Sequence, residues 1–245
     1  MNNKFTQSSE NSKYSGVQKL VDFEIGLKNY NSHTAKLIVK NFSLDKIKNT
    51  EILDFGAGIG TIAEMLRDKY SLSIECIEVD HELIEVLKRK KFSAFVSVEK
   101  LLHKYRFIYT SNVLEHIEND LETLVKLRSV LSENGKLLIY VPAQPVLFSN
   151  FDYQVGHFRR YKKKQLIKIV NEAGFTVEKC VYNDSLGFFA ALLYKIKNIV
   201  SKNSEISQRN LLIYDKCIYP ISRILDSLGL KYITGKNLLL IAKTK

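Results

Sequence analysis

The chain has 245 residues, which fits one α/β domain with an elaboration or at most two small domains. Hydrophobic residues make up 45% of the chain and aromatic residues 11%, enough for a sizeable core, which excludes a wholly disordered protein. The formal charge of +11 is compatible with binding a nucleic acid, an anionic membrane surface or a phosphorylated substrate, and equally with lysine as the default surface residue.

The cysteines and the apolar segments exclude further classes. Cys76, Cys180 and Cys217 are far apart and show no C-x-x-C spacing, which argues against a zinc site and a disulfide framework. We therefore expect no metal and a reducing, cytoplasmic setting. The polar N-terminus has no apolar signal-peptide core, and no stretch reaches the roughly 18 uncharged apolar residues that a membrane-spanning helix needs.

Helical and strand patterns alternate along the chain after residues 1–15, for which we expect flexibility. Apolar spacing predicts a helix over residues 17–42, and a β-favouring run at residues 50–55 then ends in glycines. Further strands are predicted at residues 73–79, 92–98, 106–111, 136–142, 175–183 and 237–244. Further helices are predicted at residues 61–70, 81–90, 118–131 and 163–174, with Gly135 and Gly174 at the ends of the last two.

The alternation predicts one α/β domain over residues 16–245, with a seven-stranded, mostly parallel sheet and helices on both faces. About fifty residues, 184–236, separate the last two strands, although a tight connection needs only a few residues. Their pattern is mostly helical, so we expect a helical insertion before the last strand. Insertions of this kind often carry function.

The glycine run carries the clearest chemical motif. Asp54 closes a predicted strand, and Gly56, Gly58 and Gly60 follow it before a helix, where the backbone can approach a ligand closely. Glu78 ends the next predicted strand about twenty residues on, where a carboxylate can accept hydrogen bonds from both ribose hydroxyls. Thr61 stands where the dinucleotide motif G-x-G-x-x-G needs its third glycine, which argues against a nicotinamide cofactor.

Across residues 28–183, the chain resembles the Rossmann-like S-adenosylmethionine-dependent methyltransferases, most closely their small-molecule branch. The likeness rests on residues 52–66, 74–88 and 107–117, and on a helix–turn–strand segment at residues 127–143. The turn of that segment has Glu133-Asn134-Gly135 where the family has P-G-G. Residues 149–175 are similar to a segment with a G-H-x-R-R-Y signature in one subgroup, and residues 29–38 resemble that subgroup's N-terminal helix.

The resemblance implies S-adenosylmethionine as the cofactor and assigns residues to it. The methionine end would be lined by Asp54, Gly56, Ala57 and Gly58, with Gly60 nearby. Glu78 would hold the ribose, Val79 would pack against the adenine, and Asn112 and Leu114 would flank the cofactor. Family members often place an adenine-contacting Asp after the third strand, where this chain has Ser97-Val98-Glu99.

Several of these positions have a structural alternative. Asp80 competes with Glu78 for the ribose, but the strand–acid–helix order makes Asp80 a helix N-cap. His116 and His157 are candidate catalytic residues, either of which could also pack or cap locally. Beside His157, the residues Arg159, Arg160 and Tyr161 fit either recognition of an anionic acceptor or a cluster that holds the loop.

The expected reaction is methyl transfer to an oxygen or nitrogen of a small-molecule or lipid-linked acceptor. Alternatives are an rRNA or tRNA methyltransferase, a nucleotide-dependent reductase and a non-catalytic adenosylmethionine-binding scaffold. The basic run at residues 159–164 is short and no N-P-P-Y tetrapeptide occurs, so nucleic acid is the weaker partner. Residues 186–202 are apolar with lysines, as in a helix at the inner face of a membrane, a lid or a dimer contact. The sequence predicts no oligomeric state.

Overall fold

A seven-stranded sheet forms the centre of the computed structural model, which describes residue 21 and residues 25–46, 50–201 and 207–244. The strands are β1 (Ile52–Phe55), β2 (Ile74–Ile77), β3 (Ser93–Phe95), β4 (Tyr105–Ser111), β5 (Leu131–Pro142), β6 (Thr176–Asn183) and β7 (Asn237–Lys243). Their spatial order is β3-β2-β1-β4-β5-β7-β6. Strand β7 pairs antiparallel with β5 and β6, whereas the other pairs are parallel. The predicted mostly parallel sheet is confirmed.

Helices cover both faces of the sheet. They are α1 (Lys28–Phe42), α2 (Thr61–Tyr70), α3 (His81–Arg89), α4 (Asp120–Ser129), α5 (Asn150–Gln154), α6 (Lys163–Glu172), α7 (Ser185–Ser201), α8 (Gln208–Ile213) and α9 (Tyr219–Ser227). A π-helical turn, Tyr214–Ile218, joins α8 to α9. Short 3-10 turns occur at Leu44–Lys46, Val98–Lys100, Leu114–His116, Pro145–Leu147 and Leu230–Tyr232.

The core has two apolar layers, one on each face of the sheet. Ile52 and Leu53 are neighbours in β1 but belong to opposite layers, because successive side chains of a strand point to opposite faces. Ile38 of α1 is fully buried in the first layer, and Leu166 of α6 is fully buried in the second. Burial of each such side chain contributes about 1.5–3 kcal/mol. The buried central strands thus fix the edge at which the connecting loops meet.

The segment at residues 131–135 differs from the prediction. Helix α4 ends at Ser129, and β5 already begins at Leu131, which pairs with Tyr105 before the register shifts. A Cβ on Gly135 would lie 2.8 Å from the carbonyl oxygen of Ser132. The glycine therefore allows a close backbone approach within an irregular strand rather than ending the helix, and the predicted C-cap is wrong.

The predicted insertion before β7 is helical, and two buried carboxylates anchor it. Asp215 accepts hydrogen bonds from the backbone N–H groups of Asn29 (2.8 Å) and Tyr30 (2.9 Å) in α1. Asp226 accepts from the backbone N–H groups of Asp184 (2.7 Å) and Ser185 (3.2 Å). The insertion is thereby attached to the first helix and to the end of β6.

None of the helices in the described part of the chain is long and apolar enough to cross a membrane. The segment of residues 1–15, for which the sequence predicts flexibility, lies outside the described residues. The predicted helix over residues 17–42 is described from residue 25 onward and at residue 21.

Candidate active site

A glycine-rich turn connects β1 to α2 at the carboxyl edge of the sheet. Gly56, Gly58 and Gly60 have φ angles of 80°, 58° and 81°, in the left-handed region that glycine enters readily. A Cβ on Gly56 would lie 2.4 Å from Cγ2 of Val113, in the loop after β4. The N–H groups of Gly56 and Ala57 both donate to the carbonyl of Ile77 at 2.9 Å. The turn is therefore held tightly between the ends of β2 and β4.

The carboxylate of Glu78, directly after β2, lies across this turn. Its Oε2 accepts a hydrogen bond from Gly58 N–H at 2.8 Å, and its Oε1 accepts from the N–H groups of Val79 (2.8 Å) and Asp80 (3.1 Å). An ionised carboxylate has about four acceptor positions, so one remains for a ligand hydroxyl. Asp80 caps α3 through Glu82 N–H at 2.8 Å, as predicted. Glu78 is thus the acid that faces the turn.

Asp54 is buried within β1 beneath the same turn. The Tyr109 hydroxyl donates to its Oδ2 at 2.8 Å. The pKa of Asp54 is raised to about 7, because burial and the charge of Glu78 raise it more than the Tyr109 hydrogen bond lowers it. A cationic group bound here would relieve the repulsion between the two carboxylates.

Val79 presents an apolar side chain to solvent next to Glu78. It is 75% exposed, although the preceding residue is 9% exposed. A flat apolar ligand group that packs on Val79 would remove this surface from water. Nearby, Glu99 lies 3.6 Å from Nζ of Lys126, so its carboxylate is engaged by a surface lysine.

Asn112 and Leu114 follow β4 at the same edge but face differently. Asn112 is exposed, has a φ of 55°, and donates its N–H to the Tyr140 carbonyl at 2.8 Å. The side chain of Leu114 is fully buried in the core, and its carbonyl accepts a hydrogen bond from the Tyr161 hydroxyl at 3.1 Å. The side chain of Leu114 therefore cannot border a ligand, and only its backbone lies at this edge of the sheet.

Asp152 of α5 organises the loop that carries the G-H-x-R-R-Y sequence. Its Oδ1 lies 2.8 Å from Nδ1 of His157 and 2.8 Å from Nε of Arg160. Burial alone would raise the pKa of Asp152, but His157 and Arg160 together lower it to about 2. The carboxylate therefore stays ionised and binds the protonated Nδ1 of His157, which leaves Nε2 as the proton-accepting atom of the ring.

Arg159 and Tyr161 are engaged by a second carboxylate, Asp120. Nη1 of Arg159 and the hydroxyl of Tyr161 each lie 2.8 Å from its Oδ2, and Tyr161 is fully buried. Nη2 of Arg159 donates to the carbonyl of Glu118 at 2.8 Å. These contacts match the loop-holding alternative, so among the three residues we retain only Arg160 as an acceptor-binding candidate.

Glu115, His116 and His157 form a cluster beside this loop. Glu115 is fully buried, and neither of its carboxylate oxygens has a hydrogen-bond partner among the described residues. Its Oε1 lies 3.9 Å from Nε2 of His157, and the two imidazole rings are 4.6 Å apart at 83°. Burial raises the pKa of Glu115 to about 8. Burial and the neighbouring His157 lower the pKa of His116 to about 4, so His116 is neutral at neutral pH.

Lys236, directly before β7, lies against two tyrosine rings. Nζ of Lys236 lies 4.3 Å from the ring centroid of Tyr214 and 5.5 Å from that of Tyr30. It donates to the Tyr214 hydroxyl at 2.8 Å and lies 3.4 Å from Oδ2 of Asp184. Burial and the charge of Arg160 lower the pKa of Lys236, whereas Asp184 raises it. The positive charges of Lys236 and Arg160 therefore act on the same region.

At this edge of the sheet, a dinucleotide-binding site must hold a pyrophosphate, whereas a methyltransferase site must hold an amino acid that is linked to a nucleoside. Here it holds a short glycine turn, two carboxylates and an exposed valine, with imidazole, guanidinium and tyrosine groups in the loops beside them. These features fit an α/β protein that binds a nucleoside-linked amino acid.

Comparison with known proteins supports this class. A family model described as a methyltransferase domain matches residues 27–179. No curated protein matches the sequence. The chain therefore belongs to the methyltransferase-domain family, and the prediction of an S-adenosylmethionine-dependent methyltransferase is confirmed at the level of the family.

Solved structures with low sequence identity share the fold. A candidate sarcosine dimethylglycine methyltransferase from Galdieria sulphuraria is 15% identical, with a TM-score of 0.59 over 87% of this chain and 86% of that one. A SAM-dependent methyltransferase from Archaeoglobus fulgidus is 18% identical, with a TM-score of 0.57 over 87% and 94%. Phosphoethanolamine N-methyltransferase 2 of Haemonchus contortus, in complex with S-adenosyl-L-methionine, is 18% identical, with a TM-score of 0.54 over 87% and 52%.

The structure adds site residues that sequence reasoning missed. Glu115 lies beside His116 in the sequence, and Asp152 lies five residues before His157, so each was within reach of a pattern search. Tyr30 and Lys236 are 206 positions apart and meet only because β7 inserts next to β5. Sequence alone offered no indication of that contact.

Proposed function

We propose that the chain transfers the methyl group of S-adenosylmethionine to an oxygen or nitrogen atom of a small-molecule acceptor that carries an anionic group. The observation that carries the acceptor assignment is the buried Nη1 of Arg160, which has no hydrogen-bond partner among the described residues. A buried guanidinium nitrogen without a partner costs free energy unless a ligand supplies an acceptor. The neighbouring Lys236 adds a second positive charge.

The residues at the glycine turn fit the cofactor. The turn admits no side chain at Gly56, and Glu78 is held by three backbone donors with one acceptor position left for a ribose hydroxyl. Asp54 and Glu78 provide the negative potential that an α-ammonium group needs. The exposed Val79 supplies an apolar surface for the adenine, and Asn112 with the backbone of Leu114 borders the cofactor at the end of β4.

On the acceptor side, Arg160 and Lys236 would bind a phosphate or carboxylate. Sarcosine and phosphoethanolamine, which appear in the names of two structurally similar enzymes, are small amines that carry such groups. Tyr30 and Tyr214 would contact the uncharged part of the acceptor, because their rings already border Lys236.

When bound, the cofactor supplies a methyl carbon that is activated by a positively charged sulfur. The chain must then hold the acceptor atom in line, exclude water and take up the acceptor's proton. Nε2 of His157 is suited to the proton because Asp152 fixes the tautomer of the ring. His116 lies beside it and is neutral at neutral pH, so it adds no repulsion to an approaching cation.

We further propose that the acceptor is amphiphilic, because the insertion carries exposed apolar residues. Phe189, Leu193 and Ile196, spaced along one face of α7, are 48%, 68% and 52% exposed. The same helix contacts the turn after β5, where Nζ of Lys195 donates to the carbonyl of Val146 at 2.7 Å. Such a helix would bring a lipid-linked acceptor from the inner face of a membrane to the site.

The test is methyl transfer from labelled S-adenosylmethionine to paired acceptors, each offered with and without a phosphate or carboxylate. We expect transfer to the anionic member of a pair, and a raised KM for Lys236→Met. Lys231→Met is the control, because Lys231 lies over the ring of Tyr232 on the insertion surface. Equal use of charged and uncharged acceptors would contradict the anionic assignment. Transfer to tRNA or rRNA alone would favour the nucleic-acid alternative, and cofactor binding without any transfer would favour the scaffold.

A further inference from the structure

The cluster of Glu115, His116 and His157 offers three ligand atoms that lie within 4.8 Å of one another. Glu115 and His116 come from the turn after β4, and His157 comes from the loop after α5. Two imidazole nitrogens and one carboxylate oxygen form a donor set that first-row divalent metal ions favour, and that Mg²⁺ and Ca²⁺ do not.

The geometry leaves the carboxyl group of Glu115 without a hydrogen-bond partner among the described residues. Nε2 of His157 lies 3.9 Å from Oε1 of Glu115, too far for a hydrogen bond, while Nδ1 of the same ring is bound to Asp152. A buried carboxyl group without a hydrogen-bond partner costs free energy unless a ligand or an ion contacts it. Both oxygens of Glu115 are fully buried and unpaired in the described structure. The side chain thus points into a place that requires a positively charged or hydrogen-donating occupant.

The neighbouring arginine does not supply that occupant. Arg160 directs Nε to Asp152 at 2.8 Å, and Asp152 is already shared with His157. Its Nη1 has no hydrogen-bond partner, so it makes no bond to Glu115. The charge of Arg160 lowers the pKa of Glu115, but no donor of the described residues reaches either carboxylate oxygen.

We propose that Glu115, His116 and Nε2 of His157 bind one divalent transition-metal ion of the zinc class. This inference rests on the proposed function and refines it, because Nε2 of His157 then serves as a metal ligand instead of a base. It also replaces the expectation of no metal, which was drawn from the spacing of the cysteines and from the absence of a ligand motif in the sequence.

The surroundings match those of protein metal sites. A histidine ligand usually donates its second nitrogen to a carboxylate, as His157 does to Asp152. Ligand atoms at about 2.0–2.2 Å from zinc are about 3.4 Å apart in a tetrahedral site. Rotation of the His116 side chain can close the remaining distance, and three protein ligands leave a position open. A hydroxyl bound beside the cation would lose its proton to water more readily, which favours oxygen over nitrogen as the methyl acceptor.

Cobalt provides the test, because it replaces zinc and absorbs visible light when coordinated. The full-length chain without a histidine tag is treated with a chelator, dialysed and titrated with Co²⁺, followed by absorbance and calorimetry. We expect one ion per chain and displacement by Zn²⁺.

Amino-acid substitutions distinguish Co²⁺ binding at the proposed cluster from binding at a surface histidine. We expect Asp152→Asn to weaken Co²⁺ binding by about 10–100-fold, and Glu115→Gln and His157→Ala to weaken it further. His103→Ala is the matched control, because His103 lies 3.8 Å from Glu75 in an exposed histidine–carboxylate pair without a third ligand. Its affinity for Co²⁺ should equal that of the wild type.

S-adenosylmethionine binding in the same samples distinguishes the two proposals. Normal cofactor binding by Glu115→Gln and His157→Ala shows that both variants are folded. If the wild type binds the cofactor but no Co²⁺, or if Glu115→Gln binds Co²⁺ as the wild type does, the metal site is refuted and the proposed function stands. If the wild type binds Co²⁺ but no cofactor, the proposed function fails and the metal site stands.

Discussion

The carboxylate of Glu78 accepts three backbone hydrogen bonds. It is also the residue that we assign to the ribose of the cofactor. Glu78→Ala removes the ribose acceptor and frees the N–H of Gly58, so we expect the affinity for S-adenosylmethionine to fall at least about tenfold, or 1.4 kcal/mol. Asp80→Ala is the control, because Asp80 caps α3 and its loss costs about 1 kcal/mol of stability. Calorimetric titration of both variants measures the difference. Unchanged affinity in Glu78→Ala would exclude the ribose role.

Substitution of Tyr161 tests whether this residue of the G-H-x-R-R-Y loop binds the acceptor or stabilises the loop. Tyr161→Phe removes the hydrogen bonds to Asp120 and to the Leu114 carbonyl inside the core. We expect the free energy of unfolding to fall by about 1–3 kcal/mol, with the acceptor KM unchanged. Tyr153→Phe, at a 72% exposed position, should change stability by less than about 0.5 kcal/mol. A raised KM at unchanged stability would instead assign Tyr161 to the acceptor.

The pH dependence of stability reports on Glu115. Its pKa in the metal-free folded chain is raised to about 8, so the folded state holds this proton more tightly than the unfolded state does. The free energy of unfolding should therefore fall as the pH rises from about 5 to 8, relative to Glu115→Gln. Denaturant unfolding in the presence of a chelator measures it. Parallel curves for the two proteins would show that Glu115 is not protonated by burial.

At the scale of the elements, α7 carries the prediction about membranes. Its exposed Phe189, Leu193 and Ile196 should bind vesicles, and those containing anionic lipid more strongly, because Lys197 is exposed on the same helix. Replacing the three apolar residues by serine should abolish co-sedimentation with vesicles. Replacement of Ile221 and Ile224, two exposed apolar residues of α9, shows whether a second helix shares this face. Sedimentation of the serine variant at the wild-type level would contradict a membrane role for α7.

The helices and strands were predictable where short-range sequence features, such as turns, caps and apolar runs, determine them. The helices after Gly60 and Asp80 begin where the glycine turn and the N-cap place them, and the strands follow apolar runs. Gly135 was assigned wrongly, because a glycine after a helical pattern serves a C-cap or a strand irregularity equally well. Glu78 was identified because its position is fixed by the strand before it. The partners of Arg159, Glu115 and Lys236 come from distant segments, and their meeting depends on the register of whole strands.

For the whole molecule, the charge of +11 remains the property that the fold explains least. Arg160 and Lys236 assign two of the positive charges to the acceptor side of the site, and many lysines lie on exposed helix faces. Binding that depends only on charge would weaken steeply with salt, whereas a small anionic acceptor held by two half-buried cations is screened less.

The most direct test is calorimetric titration of the purified chain with S-adenosylmethionine, with NADH and NADPH titrated in parallel. The glycine turn, Glu78 and Asp54 predict micromolar binding of S-adenosylmethionine alone. Binding of a nicotinamide cofactor in its place would contradict the assignment of the site. A folded chain that binds none of the three would contradict it as well.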